Sequence, residues 1–433
     1  MPANPELQAA ALAKLTSANL RRNFAALGAD YGLFGLGMTF ASASTILPAF
    51  AQHLGASNLM IGAIPAVVTL GYSLPPLFCA NYTERLSRKL RFILTHTVWE
   101  RLPLLMLAIA AYLLAETQPG LVLVVLLLSL AAISGVGGAL TPAWMDLIGK
   151  VIPTNLRGRL FASGNTLGAL LGLGGASLAG HFLETYPFPV DYALCFASGF
   201  LFLALSFAFL ALVVEPEVPS GKPRVALATY LRRLPDILSR DRHFAWFLAS
   251  RAVGIVGGAG TGFYAVYALR VLGAPEWEVA RFTLILLAGQ TAANLLFGYV
   301  ADHLGHKPVL LAGGGAVIVG NSAALLSTRV EEVYAVFLCT AIATAAGAVS
   351  GLNLTMEFAP PADRPTYIGL SSTLTAPVAL LAPLAGGLLA DHVGYRIVFA
   401  VAGLASALGV CILATRVRDP RSSSRGTRSG APA

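Results

Sequence analysis

Gly298-Tyr-Val-Ala-Asp302-His-Leu-Gly305-His-Lys307 lies between two long apolar segments. A looser copy, Ala80-Asn-Tyr-Thr-Glu84-Arg85-Leu-Ser-Arg88-Lys89, stands 218 positions earlier. The register holds upstream, where Leu54-Gly55-Ala56 and Leu272-Gly273-Ala274 differ by the same 218. Downstream, Pro153-Thr-Asn-Leu-Arg157 and Asn165-Thr166-Leu167 correspond to Pro360-Pro-Ala-Asp-Arg364 and Ser372-Thr373-Leu374 at an offset of 207. The shorter offset means that the first half carries extra residues in between. Self-similarity over this length reads as two copies of one unit.

That unit belongs in a membrane. The 433 residues are 56% hydrophobic and 12% charged, with a mean hydropathy of +0.72. No soluble fold hides so much apolar surface. The apolar residues fall into twelve blocks: 24–51, 59–81, 91–115, 121–148, 159–183, 191–214, 243–271, 278–301, 308–328, 333–358, 366–390 and 396–416. About 20 residues of helix cross ~30 Å of hydrocarbon. Such runs must be helical, because a lone strand in lipid leaves its backbone unpaired. The fold class is therefore all-α and polytopic, with twelve transmembrane helices in two six-helix repeats. A two-fold-repeated membrane protein is most simply read as a transporter, with its pathway where the repeats meet.

The net charge of +8 is placed for a membrane and not for nucleic acid. Lys14, Arg21 and Arg22 precede the first block; Arg85, Arg88, Lys89 and Arg91 follow the second; Lys150, Arg157 and Arg159 follow the fourth. The central loop, Lys307, Arg364 and the 416–428 tail complete one side, and the other holds Arg270, Arg281, Arg329 and Arg396. The positive-inside rule puts both termini in the cytoplasm. The organisation expected is a cytoplasmic segment 1–23, a bundle 24–214, a cytoplasmic loop 215–242, a second bundle 243–416 and a basic tail 417–433. Within the loop, Leu227, Tyr230, Leu231, Leu234, Ile237 and Leu238 recur at helical spacing, as in a helix lying on the membrane surface. Cys79, Cys195, Cys339 and Cys411 lie far apart and show no metal or redox spacing. They are expected to be small buried hydrophobes, and neither a metal nor a cofactor is implied.

On these residues the chain resembles the major facilitator superfamily over its whole membrane region. The family signature between spans two and three runs Gly-x-x-x-Asp-Arg-x-Gly-Arg-Arg/Lys, with a related copy between spans eight and nine. Gly298, Asp302, Gly305 and Lys307 match the second copy. In the first, Arg85, Arg88 and Lys89 hold, while Ala80, Glu84 and Ser87 replace glycine, aspartate and glycine. A further family-like turn, Gly386-Gly-Leu-Leu-Ala-Asp391-His-Val-Gly394-Tyr-Arg396, joins the last two spans. The resemblance implies that Glu84 caps the start of span eleven and Asp302 the start of span five, where the helix dipole favours an acid. The antiporter pattern of span five fails, since Leu173 stands in the proline place among Gly168, Gly172, Gly174 and Gly175. The resemblance also places spans one, four, seven and ten along a central cavity and span three at the periphery.

Ionisable groups inside a span are functional candidates by default. Asp30 and Arg251 lie about two turns into spans one and seven and are candidates for a gate or coupling pair. Glu100, next to Arg101, is a candidate proton site; adjacent helical residues point about 100° apart, so these two are expected to pair poorly with each other. Thr39, Ser42, Ser44, Ser134, Thr261, Tyr264, Tyr267, Gln290 and Asn294 are candidates for lining a mildly polar cavity. Enzyme signatures such as Gly-x-Ser-x-Gly, His-Glu-x-x-His or a phosphate loop are missing, so transport would be secondary. The reading is a monomeric permease in the plasma membrane, the inner membrane in a prokaryote. It would bind a small-molecule solute, with protons as the candidate coupling ion and the bilayer as its surroundings. The alternative is a non-transporting receptor or assembly factor on the same fold.

Overall fold

The computed structural model describes residues 5–83, 86–216, 241–359 and 364–418. Glu84, Arg85, the proposed surface helix at 227–238 and the basic tail lie outside the described residues. Regular structure among the described residues is helical throughout. In chain order the helices are α1 (Pro5–Thr39), α2 (Ile46–His53), α3 (Asn58–Ser73), α4 (Pro75–Thr83), α5 (Lys89–His96), α6 (Val98–Leu114), α7 (Pro119–Val151), α8 (Thr154–Thr185) and α9 (Val190–Ala211). After the central loop come α10 (Arg242–Gly257), a 3₁₀ turn (Gly258–Gly262), α11 (Tyr264–Arg270), α12 (Glu278–Leu304), α13 (His306–Leu326), α14 (Val330–Phe358), α15 (Arg364–His392) and α16 (Tyr395–Arg416).

Among the described residues, ten helical segments are long and apolar enough to cross a bilayer. They match the third to twelfth blocks, with α5–α6 and α10–α11 each making one span. The first two blocks are crossed by broken helices. Span one stops at Thr39 and restarts at Ile46. Pro48 has no N–H and its ring crowds the carbonyl one turn back, at Ser44, which disfavours helix through 40–45. Span two divides between Ser73 and Pro75. There Pro75 and Pro76 restrict the residues before them. The 16 residues of α3 rise only ~24 Å, so α3 needs α4 to complete a crossing.

The helices gather into two compact units, Met1–Ser42 with Leu70–Arg224 and Ala43–Thr69 with Val225–Ala433. The break in span one and the last turn of α3 are thus where the chain passes between units, and 43–69 packs with the second.

In the first unit, α1 packs on α8 and α9, and α6 on α7 and α9. Small residues let these helices touch backbone to backbone. A Cβ on Gly37 would stand 2.9 Å from the Gly199 carbonyl oxygen. One on Gly138 would collide with the Gly71 carbonyl. The apolar core closes around Leu27, Ile93, Leu147, Val151, Leu160 and Leu210.

In the second unit, α13 packs on α14 and α16, and α10 on α15 and α16. Its core includes Phe244, Phe247, Leu354, Leu370 and Leu413. Of the four cysteines, Cys195 alone is fully buried and Cys411 is exposed. The expectation of four buried thiols thus holds for one.

Candidate functional site

The first unit holds a charged cluster deep among its helices. Asp30 on α1, Glu100 and Arg101 on α6, Thr97 at the α5–α6 junction and Ser206 on α9 are all buried. Asp30 Oδ1 accepts from Ser206 Oγ at 2.6 Å and faces Arg101 Nη2 at 3.5 Å. Glu100 Oε2 accepts from Thr97 Oγ1 at 2.8 Å and from Arg101 Nη1 at 3.3 Å. Arg101 also donates to the Leu203 carbonyl at 2.9 Å, to Ser206 Oγ at 3.1 Å and to Thr97 Oγ1. Its guanidinium lies 5.7 Å from the Phe34 ring centre and 5.9 Å from that of Phe207. Such contacts suit a weakly hydrated, planar cation.

One guanidinium therefore serves two carboxylates. With both acids ionised the cluster keeps one negative charge in a region that disfavours it. Beside it opens a cavity of ≈ 170 Å³, lined by Asp30, Glu100 and Arg101 together with Tyr31, Phe34, Tyr72, Thr141 and Trp144. Its lining thus combines ionic and aromatic side chains.

Two sequence expectations change here. Asp30 finds its cation on α6, in its own unit, and not in Arg251. Glu100 and Arg101 do meet, because the long arginine side chain curls back one turn to Thr97 and passes the Glu100 carboxylate. The sequence carried a signal for the first: Arg101 is the one arginine or lysine in the interior of the first six apolar blocks. Ser206 carried none, being a lone serine in an apolar span.

Arg251 on α10 is half-buried. It donates to the Gly351 carbonyl and to Ser371 Oγ, each at 3.4 Å. It lines a cavity of ≈ 330 Å³ with small residues of α13, α14 and α16. Among the described residues no carboxylate bonds to it.

The candidate cavity residues scatter. Tyr264 and Tyr267 are core: Tyr264 donates to Asn321 Oδ1 at 3.0 Å and packs on Phe399, and Tyr267 donates to the Ser327 carbonyl at 2.9 Å. Thr39, Ser134 and Thr261 bond back to carbonyls of their own helical turns. Ser42, Ser44, Gln290 and Asn294 are half-buried, and Asn294 Oδ1 is buried without a hydrogen bond. None of the nine lines the ionic cavity.

A second charged knot ties the start of α5. Lys89 is fully buried and meets Asp146 at 3.0 Å. Glu215 accepts from the backbone N–H groups of Lys89 and Leu90 at 2.9 and 2.7 Å, and from Lys150 Nζ at 3.1 Å. This is a carboxylate on a helix N-terminus, supplied from 125 positions away. The sequence showed Glu215 only as the opening of a polar loop.

A family model described as Major Facilitator Superfamily matches residues 31–286 and again 276–432. The chain belongs to that superfamily. Among solved structures, the major facilitator chain is similar in fold to the nucleoside transporter NupG, with a TM-score of 0.71 and 14% identity, covering 91% of this chain and 100% of that one. A POT family transporter in complex with 5-aminolevulinic acid gives 0.70 and 14%, over 92% and 96%. In sequence, a chloramphenicol resistance protein of Pseudomonas aeruginosa is 35% identical over 118 residues, 26% of this chain and 27% of that protein. Multidrug resistance protein MdtG of Salmonella typhi is 32% identical over 143 residues, 32% and 33%. The chain thus matches about a quarter to a third of the length of these relatives.

The loop motif of the superfamily is partly engaged. Gly305 has φ +96°, a turn that glycine adopts without strain, and it separates α12 from α13. Lys307 donates to the carbonyls of Ala414 and Val417 at 3.2 and 2.7 Å, closing the end of α16. Gly298 has open space around its Cα. Asp302 is exposed, and its carboxylate has no hydrogen bond or ion pair among the described residues. Of the first copy, Ala80 lies in α4, Arg88 is exposed, and Lys89 makes the buried contact with Asp146.

Proposed function

We propose that this protein is a secondary transporter that moves a small solute across the plasma membrane by alternating access, coupled to protons at the Asp30–Arg101–Glu100 cluster. The observation that carries the coupling is the mismatch of two carboxylates to one guanidinium beside an aromatic cavity. A proton cancels the surplus charge, and so does a cationic solute that displaces it. Membership of the superfamily supports transport. The drug-resistance names of the two relatives support an amphiphilic solute and the efflux direction. The charge pattern supports termini on the cytoplasmic side.

The test uses protein in sealed vesicles with an imposed pH gradient. Labelled chloramphenicol, uridine and an aromatic amine serve as probes. Gradient-driven accumulation of one of them is expected for the native chain. Glu100→Gln should abolish accumulation and leave solute exchange. Accumulation that survives in Glu100→Gln and Asp30→Asn alike removes the coupling site. Absence of flux for every probe under either gradient counts against transport.

A further inference from the structure

The turn between α15 and α16 repeats the spacing of the 298–307 stretch. Gly298-x-x-x-Asp302-x-x-Gly305 and Gly387-x-x-x-Asp391-x-x-Gly394 align without a gap. The closing glycines share a backbone conformation, φ +96° at Gly305 and φ +104° at Gly394. With twelve spans, the second turn lies on the side of the membrane opposite the central loop.

Here the acid is engaged. Asp391 Oδ1 accepts from the Asn58 N–H at 2.9 Å and Oδ2 from the Leu59 N–H at 3.0 Å. Both donors are at the N-terminus of α3, where four N–H groups lack helical partners and the dipole favours a carboxylate. Asn58 is held from two further directions. Tyr395 donates to its Oδ1 at 2.5 Å, and Arg270 Nη1 to the same oxygen at 3.3 Å. Arg270 Nη2 also donates to the Ala56 carbonyl at 2.8 Å. Nearby, His53 and Glu276 stand 2.6 Å apart, and Thr45 and Thr283 share a buried hydrogen bond of 2.7 Å. The backbones touch as well. A Cβ on Gly387 would collide with the Asn58 carbonyl, and one on Gly62 with the Pro383 carbonyl.

In every one of these contacts one partner comes from 43–69, in the first sequence repeat, and the other from the second repeat. All lie within the second compact unit. We infer that Asp391, Arg270 and Tyr395 form a releasable latch that holds the start of span two on the second repeat and closes the side opposite the central loop. The inference rests on the alternating-access reading for its purpose, and its test requires no solute. The contacts suit release. The Asp391, Arg270 and Tyr395 bonds are polar and part-buried or exposed, and each carboxylate–amide bond is replaceable by water. The spacing of the loop motif thus recurs at the 387–394 turn, where Asp391 caps the start of α3.

The test is a distance measurement between spin labels at Ser57 and Val393, both exposed, in the full chain with its four cysteines replaced. The native latch is expected to give mainly the short distance. Asp391→Asn and Arg270→Gln should each raise the ratio of separated to closed forms by roughly tenfold, the scale of one charge-assisted hydrogen bond. Asp391→Glu should keep the native distribution. Tyr395→Phe removes a single hydroxyl and should give a smaller shift in the same direction. It decides the matter if the charged variants do not fold. Distributions that superimpose on the native one in Arg270→Gln, Asp391→Asn and Tyr395→Phe overturn the latch, whether or not the melting temperature falls, because a static cap would lower stability without separating the labels. A protein with native solute flux and no long-distance population overturns it too, and an inactive protein still reports on it.

Discussion

Arg101 bonds to two acids, two hydroxyls and two backbone carbonyls, so its removal has a sharp expected signature. Arg101→Gln leaves Asp30 and Glu100 buried without a cation, a cost of about 3–5 kcal/mol. Arg101→Gln with Glu100→Gln should recover part of that loss. Melting of the detergent-purified variants in a double-mutant cycle measures it. Asp30→Asn and Arg101→Gln are expected to be non-additive, while Asp30→Asn and Arg251→Gln should add, since the second pair shares no partner. Additive effects for the first pair would dissolve the cluster as a unit. Asp30, Glu100 and Arg101 were each visible in the sequence as charges inside apolar runs. Their pairing was not, because side-chain reach decides it: Arg101 bends a full turn to meet its neighbour, and Ser206 enters from 176 positions away.

Helix ends and helix crossings give the next scale. Gly138 faces the Gly71 carbonyl, whereas a Cβ on Gly135 meets nothing within 4 Å. Gly138→Ala is expected to cost about 1–3 kcal/mol by overpacking. Gly135→Ala should be neutral or slightly stabilising, because alanine is the better helix former. Equal effects on melting would mean that α3 and α7 do not pack as described. Glu215→Ala strips two backbone amides and Lys150 of their acceptor, and should cost about 1–3 kcal/mol. Amide exchange should quicken first at Lys89 and Leu90. Unchanged exchange there would show that the start of α5 does not depend on this carboxylate. Span positions were legible because twenty apolar residues have few fates. The prolines at 48 and 75 were legible as residues and their consequence was not, since a helix carrying proline either kinks or breaks according to what packs around it. A cap such as Glu215 leaves no local trace, because donor and acceptor are far apart in sequence.

For the molecule as a whole, the placement of charge makes the orientation testable. A reporter fused after Ser57 is expected on the outer side, and reporters in the central loop or after Arg416 on the cytoplasmic side. A cytoplasmic signal at Ser57 would reverse the orientation. Asp302→Asn should leave melting within about 0.5 kcal/mol of native, as for an exposed residue without partners, yet slow turnover if the acid engages in another conformation. Native turnover would leave it a solvated loop charge. The two-fold repeat was legible from 298–307 and its copy, but the assignment of 43–69 to the second unit was not, since repeats in a sequence do not announce which surfaces they exchange. That assignment bears on biogenesis. Asn58 meets Asp391 across 333 positions, so α2 and the start of α3 leave the ribosome long before their partners exist. At roughly 5–20 residues per second, the nascent hairpin waits tens of seconds with its polar end unmet. Water at the membrane rim takes the place of the missing partners meanwhile, and synthesis halted before α15 should yield a first half prone to proteolysis at the 40–45 break.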